Sequence, residues 1–114
     1  MKENIILLLS FDFALAIIAF CELLENKKKF VIARQLLRAG SSIGANIREA
    51  QNAESKADFI HKMKISAKEA DETEYWLELC RQSENYPNPD KLLIQIAEIK
   101  KLLNAIISTM KRKT

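Results

Sequence analysis

Turn-forming residues are so scarce in this sequence that most folds are excluded at once. Two glycines and two prolines are all it has in 114 residues, and both prolines, Pro87 and Pro89, fall in one short stretch. A sandwich or barrel wants turn chemistry every 8–12 residues or so, which this chain cannot supply. Hydrophobic residues make up 48% and charged residues 29%, too apolar for a disordered chain and enough for a packed core. The length is that of one domain, so residues 1–114 are expected to form a single, soluble, all-α unit.

Four helical segments can be read along it. The first runs from about Glu3 to Glu25 and ends at the turn Asn26-Lys27-Lys28-Lys29. The second, about Phe30 to Asn52, carries Ile32, Leu36, Ile43, Ile47 and Ala50 at helical spacing. Gly40 and Gly44 each weaken that helix by about 1 kcal/mol relative to alanine, which points to a close backbone approach or a kink. Ser55 and Asp58 form a capping-box start for a third helix reaching Arg81 or Ser83. Asn88 can cap the fourth, with Pro89 in its first turn, and Leu92, Ile96, Ile99, Leu103, Ile106 and Met110 alternate steps of four and three along it. Short connections between helices of similar length predict an up-down-up-down antiparallel four-helix bundle.

The run Ile5 to Leu24 is long enough to cross a bilayer. Asp12 near its middle would cost roughly 2.5 to 3.5 kcal/mol on insertion, and Glu22 adds to that. A lipoprotein-type cleavage before Cys21 would want a small residue where Phe20 stands. The run therefore reads as a soluble bundle helix without membrane contact. Asp12, Leu15, Ala19, Glu22 and Asn26 share one face that is only partly polar, so the helix is too apolar to line its own bundle alone. A second copy of the protein is the simplest cover, and a homo-oligomer is expected.

No catalytic apparatus can be assembled from these residues. There is one histidine, His61, and neither a phosphate loop, a nucleophile elbow nor a metal-binding helix motif. The expectation is a protein that is not an enzyme, with no catalytic residues, metal or cofactor. Cys21 and Cys80 lack CxxC spacing and read as reduced, packed thiols at one end of the bundle, consistent with a cytoplasmic protein. The acidic run Glu69, Asp71, Glu72, Glu74 and Glu78 reads as a solvated, partly salt-bridged face. On the second helix Gln35, Arg38, Ser42, Asn46 and Glu49 line one face; Lys62, Ser66, Glu69 and Thr73 do so on the third. An antiparallel turn near Ala53 and Glu54 levels Arg38 with Glu69, Ser42 with Ser66, and Asn46 with Lys62, a structural polar seam beside the core.

The stretch Gln35 to Cys80, with Ser42-Ile43-Gly44-Ala45-Asn46-Ile47-Arg48-Glu49 at its centre and Tyr75-Trp76-Leu77 near its end, resembles the bacterial 23S rRNA intervening-sequence protein family. The resemblance extends in element order over essentially the whole chain. It implies a four-helix bundle. Relatives of this group, among them the accessory protein of diversity-generating retroelements, form pentameric barrels that bind nucleic acid or a reverse transcriptase, so a pentamer is the oligomer the resemblance favours.

Bundle topology sorts charge by end. Arg48, Lys56, Lys62, Lys64, Lys111, Arg112 and Lys113, with Lys2, share the end that holds the second connection and the C-terminus. These are the expected nucleic-acid-binding residues. The net charge of +3 permits such a partner without requiring it. No aromatics interleave with them, so backbone contact to structured RNA or DNA is expected rather than base readout. The alternative is a protein-interaction adaptor, for example for a reverse transcriptase, presenting Tyr75, Trp76 or Tyr86 to a protein partner.

Overall fold

In the computed structural model, residues 5–113 are described; the expected helix start at Glu3, and Lys2, lie outside them. Helices α1 (Ile5–Asn26), α2 (Phe30–Ala50), α3 (Lys56–Gln82) and α4 (Asp90–Arg112) form an antiparallel bundle measuring 50 × 22 × 20 Å. Each packs against its neighbours in sequence, and α4 closes the ring against α1.

Local chemistry sets the ends. Ser55 Oγ accepts from the Asp58 N–H at 3.0 Å, while Asp58 Oδ2 accepts from the Glu54 N–H at 3.2 Å, so the expected cap forms with the return bond one residue earlier. Helix α4 starts one residue later than expected: Pro89 rather than Asn88 is its N-cap, with no side-chain cap, and Asn88 Oδ1 accepts from the Asp90 N–H at 2.9 Å from one position outside it. The α1–α2 connection needs a left-handed residue, and Lys28 supplies it at φ 63°. The Lys29 N–H reaches Leu24 O at 2.9 Å and the Lys28 N–H reaches Glu25 O at 2.8 Å, the paired bonds of a Schellman C-cap.

Phe13, Ile17 and Leu24, with Leu36, Ile43 and Ile47 of α2, Met63 and Leu77 of α3, and Ile96, Ile99 and Leu103 of α4, fill the core. The α4 seam is buried from Leu92 to Leu103. Ile106 and Met110 are half-buried, because the bundle is ending there. The glycines serve close approach: both have ordinary negative φ, but a Cβ on Gly40 would lie 2.9 Å from Ile17 Cγ1, and one on Gly44 3.2 Å from Ser10 Oγ.

Helix α1 is long and apolar enough to span a membrane by length and composition, yet it takes part in the bundle core with a third of its most apolar window. Asp12, Leu15, Ala19, Glu22 and Asn26 all face out, as their spacing indicated. Leu8, Phe11 and Ile18 join them, so the outer face is more apolar than the sequence pattern alone defined.

Candidate nucleic-acid interface

The basic end divides by face. Lys64 on α3 and Lys111 on α4 are exposed neighbours, and the nearby Lys111 ammonium holds the Lys64 pKa below its ordinary value. No carboxylate lies within ion-pair distance of either among the described residues. Arg112, on the same last turn, folds back and donates to Ser108 Oγ at 2.9 Å and Thr109 Oγ1 at 3.4 Å. Lys56 and Lys113 are exposed. Lys62 faces the α2–α3 seam and is neutralised by Glu49 at 3.0 Å, a contact that raises its pKa. Arg48 stands apart on the α1–α2 side, at an open groove of about 710 Å³ whose walls include Leu8, Phe11, Gly44 and Ala45. The seven cations share an end, as topology required, but not a single patch.

The polar seam between α2 and α3 exists with altered partners. Arg38 pairs with Glu69 at 3.2 Å, as its spacing indicated, and also with Glu72. Arg38, and after it the Trp76 indole, holds the Glu72 carboxyl below the usual carboxylate range. The other two expected pairs do not form. Ser42 Oγ donates to Arg38 O at 2.6 Å and Asn46 Nδ2 to Ser42 O at 2.9 Å, both within α2. Buried Ser66 crosses the seam to Ile43 O at 2.9 Å, and Lys62 reaches past Asn46 to Glu49. Ser42 and Asn46 thus bond carbonyls one turn back on their own helix, while Ser66, buried at the seam, bonds one on the facing helix.

The acidic run of α3 is salt-bridged on both flanks. Glu69 and Glu72 turn to Arg38, Asp71 and Glu74 meet Lys100 of α4 at 2.8 and 2.7 Å, and Glu78 meets Arg81 at 2.9 Å. Sequence reasoning missed Lys100. Its signal was a cation one step off the α4 seam, beside Ile99, opposite an acidic helix.

Cys21 and Cys80 are buried free thiols, and Cys21 Sγ donates to Ala33 O at 3.4 Å. Burial pushes both up to about 11 from an ordinary 9.0. In the unfolded chain they ionise first, so above pH 9 the unfolded state holds fewer protons and stability falls with rising pH until about 11. Each thiol contributes up to about 1.4 kcal/mol per pH unit to that fall. Urea denaturation at pH 8 and pH 10.5 should show a shallower alkaline loss in Cys80→Ala than in the parent, whatever the variant's starting stability.

Four antiparallel helices around one apolar core, with a cluster of cations at one end and exposed apolar side chains along α1, define a small all-α four-helix-bundle protein. The family model for 23S rRNA-intervening sequence protein matches residues 2–105. The chain belongs to that family. It is similar to a crystallised protein of unknown function from the S23 ribosomal protein family of Bacteroides thetaiotaomicron, with 46% identity and a TM-score of 0.86 over 90% of this chain and 98% of that one. No curated protein matches the chain. Neither the family nor this neighbour has a known enzymatic activity.

Proposed function

We propose that the protein is a non-enzymatic homo-oligomeric bundle that binds structured nucleic acid through the end bearing Lys64 and Lys111. The observation that carries this reading is that exposed Lys64 and Lys111 stand on the adjoining helices α3 and α4 at one end of the bundle, with no carboxylate within ion-pair distance of either among the described residues. A phosphate set between two neighbouring ammonium groups is attracted by both. Lys111 and Arg112 close α4 in its last turn, where the helix dipole favours cations, so the positive charge is concentrated there rather than dispersed. Lys56 and Lys113 extend the contact, while Lys62 is committed to Glu49 and Arg48 belongs to the opposite face.

Two lysines bind phosphate weakly. Assembly through α1 multiplies them, and a pentamer, the copy number favoured by the family resemblance, repeats the pair five times about an axis. If two subunits touch one duplex, four phosphates are neutralised and the logarithm of affinity should fall with the logarithm of salt at a slope of about −3.6. Fluorescence anisotropy with an RNA hairpin at 50 to 200 mM salt tests this. Lys64→Glu with Lys111→Glu should weaken binding at least about tenfold and flatten the slope. Hairpin binding that ignores the double reversal, or ignores salt, would sink the reading.

A further inference from the structure

The opposite end of the bundle combines charge and aromatic surface in a way the Lys64 end does not. Lys27, Lys28 and Lys29 stand consecutively in the α1–α2 turn, and none has a carboxylate within ion-pair distance among the described residues. Beside them opens a cleft of about 380 Å³ whose lining includes Lys28, Lys29, Phe30, Trp76 and Tyr86. Phe30 is 49% exposed although it opens a helix, and Lys29 Nζ already rests 4.7 Å from the centre of the Tyr86 ring. The indole is held in place, because Trp76 Nε1 donates to Glu72 at 2.9 Å and Arg38 holds that carboxylate in turn. The same bonds neutralise Glu72, the acidic group nearest the indole.

We infer that this cleft takes an unpaired nucleotide of a single-stranded nucleic acid, its base against Phe30 and Trp76 and its phosphate at Lys28 and Lys29. The inference rests on nucleic acid being the partner class and deepens that reading by adding a site for unpaired bases at the other end. Flat apolar rings and ammonium groups within one cleft match a ligand that alternates a flat base with an anion. An acidic peptide would satisfy the lysines and leave the rings unused. The turn also holds lysine where glycine would sit more easily: Lys28 lies in the left-handed region, which glycine occupies without penalty.

Trp76 is the only tryptophan, so its fluorescence reports the cleft directly. An eight-residue oligouridylate added to the full-length protein should quench it. Phe30→Ala should weaken that titration about tenfold. Lys28→Gly should weaken it severalfold while leaving Tm unchanged or raised, so loss of folding cannot explain the result. Lys64→Glu with Lys111→Glu should leave the quenching in place, since it removes only the distal pair. Absence of quenching overturns the inference, as does quenching indifferent to Phe30→Ala and Lys28→Gly, or equal quenching by an octaglutamate peptide. Hairpin binding that persists through such a result confines the failure to the cleft, because the Lys64 end is assayed separately.

Discussion

Phe11→Glu combined with Leu15→Glu is expected to reduce the protein to a 13.1 kDa monomer without lowering its Tm by more than about a degree or two. Leu8, Phe11, Leu15 and Ile18 succeed one another at steps of three and four along the outer face of α1, with exposures of 65, 56, 53 and 44%. Over those ten steps the helix rises about 15 Å, so they form one continuous apolar strip. The strip runs into the groove beside Gly44 and Ala45, where small residues leave room for side chains from outside the subunit. A continuous apolar strip is unusual on a soluble monomer, and the cover we propose for it is a second copy of the chain. A carboxylate desolvated in that contact costs several kcal/mol, more than one helix-sized interface can absorb twice. Phe13 provides the contrast: it is fully buried two residues from Phe11, and Phe13→Glu should unfold the chain rather than dissociate it. Native mass spectrometry of parent and variant, with circular dichroism on both, separates these outcomes. A parent protein that is monomeric at micromolar concentration would remove the assembly and the multiplication of its lysine pairs together.

What could be read from the sequence follows the reach of each interaction. Helix ends were legible because capping is local: Ser55 and the lysine turn act within a few residues, and the start of α4 differs by one position, with Pro89 as its N-cap in place of Asn88. The Arg38–Glu69 pair was legible because two long charged side chains tolerate an error of half a turn in register. Ser42 and Asn46 were not, since each is short enough to bond a carbonyl on its own helix, whereas buried Ser66 bonds one on the facing helix. Topology gave the height of every cation along the bundle, but its face depends on helix rotation. That is why Lys62 and Arg48 were grouped with Lys64 and Lys111, although they point to three different seams. The same limit applies to α1. Its excess of apolar residues was evident, while the particular strip left outside was settled only by which side chains the other three helices had room for.

Packing against α1 also fixes the use of the scarce glycines, and here substitution should show a reversal of sign. In the native background Gly40→Ala places a Cβ 2.9 Å from Ile17 Cγ1 and 3.0 Å from Cγ2. Those atoms lie next to the backbone of a fully buried β-branched residue, so they cannot swing aside, and the helices must part. Overpacking of this kind costs about 1–3 kcal/mol, against a gain of about 1 kcal/mol for replacing glycine within a helix. The expected net is a loss of about 1 kcal/mol. Ile17→Ala alone removes both clashing atoms and leaves a cavity, at a cost of about 2–5 kcal/mol. In that background the new Cβ meets empty space, so Gly40→Ala should now stabilise, by about 1 kcal/mol from helix propensity and somewhat more from filling the void. A double-mutant cycle by urea denaturation therefore carries a coupling of about 2 kcal/mol between positions 17 and 40. If Gly40→Ala has the same effect in both backgrounds, α1 and α2 are not in the close contact described, and the groove beside Gly44, which depends on the same approach, loses its basis as well.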